Sequence, residues 1–355
     1  MQIAFQPVTL HKRFPLTISR GTTAQNTNLW VKVRADRTDP IEGWGEATPF
    51  SVSRQGGLTT EQIIQKLQQL IPHLEPLHPL QRDEIHCRLA GLNVSSALRA
   101  AIDTALHDWL GKRAGLPLWQ LWGLDRTNIV KTSFTIGIGT PEAAVARAQQ
   151  WQNFVGATVF KLKLGSPEGV VADRAMFAAV QAFAPEAEFT VDANGGWTLE
   201  EAIEMAHWLG DRGVRHLEQP LPVAREADYP ALAAQSPLPL FADESCFTAA
   251  DVVRVAPWAT GINIKLMKAG GLTEAWRMIQ TAQAMGLQMM YGCYSDSALA
   301  NTAMSQLAPY ADYLDLDSHL NLLDDPFTGV VLEKGCPLPP LKPGLGVGVA
   351  PQVEN

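Results

Sequence analysis

Over residues 1–50 hydrophobic and polar positions alternate with period two, the pattern of strands with one buried face. Leu29-Trp30-Val31-Lys32-Val33-Arg34 alternates. Ala35-Asp36-Arg37-Thr38-Asp39-Pro40 is turn chemistry, and Gly43-Trp44-Gly45-Glu46-Ala47 resumes a strand. These runs predict antiparallel β-structure. Two polar stretches, 18–27 and 51–57, read as loops, serving either as hairpin connections or as lids over a substrate. From Thr59 to about Leu121 the period lengthens to that of a helix. Ser95-Ser96 caps a segment in which Leu98, Ala101, Ile102, Ala105, Leu106, Trp109 and Leu110 recur at i, i+3 and i+4, and Gly115 and Pro117 end it. Asp103 and His107 stand four apart on this helix. That spacing suits a metal, but one such pair in a helical region reads first as a capped or solvated pair.

From about Lys131 short apolar runs alternate with amphipathic helical segments. The runs cover 133–136, 159–164, 189–193, 214–219, 239–242, 261–266, 288–292 and 313–317; helices between them include 141–154, 170–183, 199–210 and 273–285. Eight strand-like runs with room for a helix between each pair predict right-handed βα crossovers and a parallel barrel. The fold class expected is α/β, a modified (β/α)7β barrel over 126–325 with an α+β capping domain over 1–125. The tail 326–355, rich in proline and glycine, should pack back on that cap.

Composition narrows the partners. With 355 residues, 46% hydrophobic, 18% charged and a net charge of −8, the chain reads as a soluble protein without a nucleic-acid footprint. Its partner should be a small molecule. No apolar run reaches the length of a membrane span. The N-terminal Met-Gln-Ile-Ala-Phe-Gln lacks the start of a signal peptide, and Cys87, Cys246, Cys293 and Cys336 form no framework, so a cytoplasmic location is expected. Barrels of this kind often associate, and a homo-oligomer is compatible with the chain.

Chemistry collects at the predicted strand ends. Lys161 and Lys163, two apart on the second run, point to one face, and two ammoniums held so close depress each other's pKa, as a lysine base requires. The following strands end in Asp192-Ala-Asn194, Glu218-Gln-Pro220 and Asp243-Glu244-Ser245. Asn263-Ile-Lys265 and Asp315-Leu-Asp317 come after these. In a barrel those ends converge on one mouth. Asp192, Glu218 and Asp243 would repel one another there without a cation. An all-oxygen set favours a hard divalent ion, Mg²⁺ first and Mn²⁺ second. His216 shares a strand face with Glu218, but one histidine makes no zinc set. Lys163 and Lys265 then flank the metal as two bases, one neutral to take a proton and one charged to give it. Lys161 and the cation would stabilise an enolate made by removing a proton beside a carboxylate. Thr135 is a candidate for a substrate oxygen; Lys268 lies past the strand end and takes no role.

This ordered set, with Gly43-Trp44-Gly45-Glu46 and the run from Asn263 through Lys265 to Gly271, resembles the enolase superfamily, in particular its muconate-lactonizing subgroup and dipeptide epimerases. The resemblance implies Mg²⁺ on Asp192, Glu218 and Asp243, bases at Lys163 and Lys265, and Lys161 on the enolate oxygens. Asn194 and Glu244 would support the ligands, and loops near Arg20 and Arg54 would cover the substrate. It further implies that Asp315 and Asp317 bind the α-ammonium of a dipeptide, whose carboxy-terminal α-carbon is inverted. N-acylamino acid racemase, o-succinylbenzoate synthase and muconate cycloisomerase are the rivals within the superfamily. A Schiff-base lysine aldolase and a non-catalytic binding barrel are the rivals outside it. The lid arginine expected for a glutamate side chain has only Arg20 to match it in a shorter loop, so an apolar or aromatic side chain, near Phe134, Trp197 and Tyr294, is equally open.

Overall fold

A computed structural model gives the structure of the protein, described for residues 1–49 and 58–349. The expected second loop, with Arg54, lies outside the described residues. At the N-terminus β1 (Gln2–Ile18), β2 (Gly21–Arg34) and β3 (Gly43–Ala47) form an antiparallel meander. α1 (Thr60–Leu74), α2 (Arg82–Gly91), α3 (Ser96–Ala114) and α4 (Leu118–Leu121) follow. Ser95 caps α3, accepting from Leu98 N, and Gly115 closes it in the left-handed region at φ 72°. The glycines of Gly43-Trp44-Gly45 now have a reason: a Cβ at either would run into the carbonyls of Ala105 and Ala101, so α3 lies flush on β3.

Eight parallel strands follow in sequential order: β4 (Phe134–Ile136), β5 (Val159–Lys163), β6 (Glu188–Asp192), β7 (Leu217–Glu218), β8 (Leu240–Ala242), β9 (Gly261–Lys265), β10 (Gln288–Gly292) and β11 (Tyr313–Leu314). The sheet curls until its edges meet. Thr132 bridges Leu314, and Ser133 N donates to Leu314 O at 2.8 Å. Helices α5 (Pro141–Val155), α6 (Val170–Phe183), α7 (Leu199–Gly210), α8 (Tyr229–Ala233), α9 (Ala249–Val255), α10 (Leu266–Ala269), α11 (Leu272–Ala284) and α12 (Ala298–Ser305) fill the crossovers, and no α-helix follows β11 among the described residues. This is the expected α/β fold. The core of the barrel is apolar and continuous with that beneath β2, β3 and α3. Past residue 326, Phe327 sets its ring against Trp30 and Trp44, and Leu345 N donates to Asp108 Oδ1 on α3 at 2.8 Å. No described helix is long and apolar enough to cross a membrane.

Two expectations need correction here. The polar stretch 18–27 is not a loop: β1 and β2 run to Ile18 and Gly21, joined by a two-residue turn at Ser19-Arg20. Residues 20–25 are exposed one after another, so this end of the ribbon has no buried face for a period-two pattern to show. Asp103 and His107 form no metal set, and they are buried rather than solvated. Asp103 accepts from Thr273 N and Oγ1 at the start of α11, while His107 lies 2.8 Å from Asp103 O and 2.8 Å from Arg82. The pair ties α3 to the barrel.

Candidate active site

The ribbon positions the mouth of the barrel. Phe14 N donates to Asn321 Oδ1 and Asn321 Nδ2 returns a bond to Phe14 O, fixing β1 beyond the end of β11. Ile138 N donates to Thr17 O just past β4. At the tip, Arg20 donates to Asn194 O at 3.0 Å and to Glu244 Oε1 at 2.9 Å. The hairpin therefore crosses the mouth, held to the ends of several strands.

Under it the three carboxylates meet. Asp192 ends β6, Glu218 ends β7 and Asp243 follows β8; one oxygen from each lies within 4.8 Å of the others, all buried. Among the described residues they are the one group of three or more His, Cys, Asp or Glu that fits a metal ion. Burial, and after it the neighbouring Asp192, pushes the Glu218 carboxyl up to about 8. An all-oxygen donor set of this kind fits a hard divalent cation.

The lysines answer the same charge. Lys161 Nζ lies 2.6 Å from Glu218 Oε2, 2.8 Å from Asp315 Oδ2 and 3.3 Å from Asp192 Oδ2. Lys163 reaches Asp192 Oδ2 at 2.5 Å, and Lys265 reaches Asp243 Oδ2 at 2.7 Å. The mutual depression expected from the Lys161–Lys163 spacing does not decide Lys161. Burial works against its ammonium, but Asp315, Glu218 and Asp192 outweigh that and raise its pKa well above the usual lysine value. Lys265 is raised likewise, against its burial, by Asp243. Lys163 on β5 and Lys265 on β9 have β6, β7 and β8 between them, and both line one cavity of about 430 Å³.

Asp315 and Asp317 differ from each other. Asp315 accepts from Lys161, from Ser133 Oγ at 2.9 Å and from Thr135 Oγ1 at 3.3 Å. Asp317 Oδ2 accepts from Thr135 N at 2.7 Å, and Cys293 Sγ lies 3.8 Å from Oδ1. Burial, then Asp315, pushes the Asp317 carboxyl up to about 6. Thr135 thus holds both carboxylates in place.

Asn194 braces Asp192 through its backbone N (2.8 Å) and Nδ2 (3.2 Å), and Nδ2 also reaches Glu244. Its φ of 45° turns the chain sharply after the strand. Three supporting residues escaped the sequence reading. Gln219 Oε1 accepts from Asp243 N and Ser245 N; Asn263 Nδ2 donates to Glu218 Oε1 at 2.7 Å. Lys268, given no role, is buried in the single turn α10 and donates to Asp243 O, Cys246 O and Asn263 O, with Asp243 Oδ1 at 2.5 Å. A second lysine three residues after Lys265 was the available signal. Of the three aromatic candidates only Tyr294 lines the cavity, its ring centroid 4.8 Å from Lys265 Nζ. Phe134 packs on Trp151, and Trp197 donates to Asp173 at 2.8 Å; both are buried wall residues. His216 lies at the barrel floor between Phe241 and Tyr313, its pKa lowered to about 3 by burial and then Lys161.

Comparison with known proteins agrees with this geometry. Residues 2–123 match the family model described as mandelate racemase / muconate lactonizing enzyme, N-terminal domain. Residues 143–353 match the one described as enolase C-terminal domain-like. A hydrophobic dipeptide epimerase of Flavobacteria bacterium is 40% identical over 348 residues, 98% of this chain and 97% of that one. The L-Ala-D/L-Glu epimerase of Bacteroides thetaiotaomicron is 34% identical over 350 residues, 98% and 88% of the two chains. A dipeptide epimerase from Cytophaga hutchinsonii, solved with Mg and D-Ala-L-Val, superposes with a TM-score of 0.92 at 25% identity, covering 99% of this chain and 96% of that one.

Proposed function

Because this chain belongs to the enolase superfamily, in its mandelate racemase / muconate lactonizing enzyme branch, we propose that it is a Mg²⁺-dependent dipeptide epimerase inverting the carboxy-terminal α-carbon by two-base proton transfer. The observation that carries the reading is the pair Lys163 and Lys265, brought from facing strands to one cavity beside three crowded carboxylates. Asp192, Glu218 and Asp243 would hold the ion. When bound it supplies positive charge for the substrate carboxylate and for the negative charge that grows on its oxygens.

The chain's own groups do the rest. Lys161 aims an ammonium at the same oxygens, and its fixed charge strengthens as they gain electrons. Asp317, whose Oδ1 has a thiol at 3.8 Å, takes the substrate α-ammonium beside Asp315. Held at both ends, the dipeptide presents its second α-carbon between the two lysines. The neutral lysine takes the proton from one face. The electron pair moves onto the carboxylate, and the charged lysine returns a proton on the other face. An N-acyl substrate has no ammonium to match Asp317, which favours a dipeptide. A Schiff-base aldolase would use one lysine and leave the carboxylate triad without purpose.

Incubation with Mg²⁺ and pooled L,L-dipeptides in D₂O tests the reading: one-dalton gains at the α-carbon of particular dipeptides are expected in mass spectra. Pools without any exchange, followed by turnover of an N-acyl amino acid, would overturn it. A pH dependence is expected as well. Asp317 must be ionised to hold an ammonium, and its raised pKa places that ionisation at about 6. KM should therefore fall as pH rises through 6 and level off above it, while Asp317→Asn should show a high, flat KM across the same range.

A further inference from the structure

We infer that Gly292 is a positioning residue: its missing side chain leaves the slot in which Lys265 lies, and so sets how well that lysine meets the substrate. The inference rests on the epimerase reading and adds a residue to it. Gly292 ends β10, level with Lys265 at the end of β9. Glycine is poorly suited to a strand, because it has no side chain to pack and loses the most freedom on ordering. Nor does Gly292 have the positive φ that would call for a glycine. Its reason is space. A Cβ built there would lie 2.9 Å from Lys265 Cε and 2.8 Å from both Asn263 Nδ2 and Asn263 Oδ1, well inside van der Waals contact.

The slot has further walls. Tyr294 sets its ring centroid 4.8 Å from Lys265 Nζ, and Asp243 Oδ2 lies 2.7 Å from the same nitrogen. Asn263, the other side chain at the gap, is tied through Nδ2 to Glu218 Oε1 at 2.7 Å. What a methyl at 292 would strike is therefore the outer part of two side chains and no backbone atom. The strand can absorb the methyl, and the two side chains move instead. A shift of Asn263 acts through Glu218 and slows every proton transfer alike. A shift of Lys265 spoils transfer at one face of the α-carbon only, and that asymmetry marks the role.

The test compares Gly292→Ala with the parent, as full chains with Mg²⁺ in D₂O, on a dipeptide that the parent epimerises. The starting diastereomer is the one whose proton Lys163 removes, identified as the one that Lys265→Ala still deuterates. Lys163 takes the α-proton and the electron pair passes onto the carboxylate. The deprotonated substrate then divides. A deuteron returned by Lys163 gives exchange with retention, and one delivered by Lys265 gives inversion. Damage to cation binding, to Glu218 or to the fold slows both outcomes and cancels from their ratio. Displacement of Lys265 does not cancel. The ratio of retention to inversion should rise by roughly tenfold or more, since a misplacement of about 1 Å can cost 10²-fold. An unchanged ratio, whatever the fall in rate, overturns the inference and leaves the epimerase reading intact. A parent that neither exchanges nor inverts any dipeptide sinks both. If Gly292→Ala does not fold, Gly292→Ala/Lys265→Ala, which has no ε-carbon to displace, should fold. Failure of that double variant as well would place the conflict at Asn263 and overturn the inference.

Discussion

Replacing either Lys163 or Lys265 by alanine is expected to stop epimerisation, with a loss of at least 10²–10⁴-fold, the usual contribution of one positioned acid or base. The two variants should fail differently. Each lysine faces one side of the α-carbon, so a single remaining lysine still removes the proton of one diastereomer and, after exchange with solvent, puts deuterium back on the same face. Lys163→Ala and Lys265→Ala should thus deuterate opposite diastereomers of one dipeptide without interconverting them. Incubating each variant with both diastereomers in D₂O, followed by chiral separation, checks this. Deuteration of the same diastereomer by both variants would mean that the lysines share a face, contrary to their positions on β5 and β9. Full epimerisation by either variant would remove it from the chemistry altogether.

Glu218→Gln is expected to abolish activity and to remove the stabilisation that Mg²⁺ gives the parent protein. Three buried carboxylates within 4.8 Å of one another repel, and Glu218 is the one whose carboxyl is pushed up to about 8. Glutamine keeps the shape, but with Oε1 accepting from Asn263 Nδ2 it turns an amide nitrogen, a donor, to the position from which Glu218 Oε2 would meet a cation and now meets Lys161. Lys161 retains Asp315 and Asp192. In the parent protein Mg²⁺ at a hundred times its Kd should add about 2.7 kcal/mol of stability, visible as a rise in Tm. In Glu218→Gln that rise should vanish, and chelation of the parent protein should abolish turnover reversibly. A Tm indifferent to Mg²⁺ in the parent, with turnover surviving chelator, would show that the triad serves some purpose other than holding a cation.

Much of this was legible in the chain because barrels write their chemistry at regular intervals. A parallel strand buried on both faces reads as a short apolar run, and the residue at its carboxyl end faces the mouth of the barrel. Asp192, Glu218, Asp243, Lys265 and Asp315 therefore announced themselves as charges ending apolar runs. The lysine pair on β5 was equally plain, since period two puts Lys161 and Lys163 on one face. Residues that act by reaching backward carried no such mark. Lys268 sits on one turn of helix and bends back to three carbonyls, and Gln219 serves Asp243 through a turn whose shape no spacing encodes.

The sequence by itself determined the α/β architecture, the strand order and the set of charged groups that converge, because periodicity and strand-end position are local properties of the chain. The tertiary structure decided the state of those groups. Whether Lys161 is depressed by Lys163 or raised by three carboxylates depends on distances between separate strands, and those distances favour the carboxylates. It also decided that residues 18–27 form a ribbon rather than a loop, since a strand crossing open space above a barrel needs no apolar face to betray it. The seating of the β1–β2 ribbon over the mouth belongs to the same class of fact. It is fixed where β1 meets the residues beyond β11, 307 positions apart in the chain for Phe14 and Asn321, and no local pattern records such a meeting.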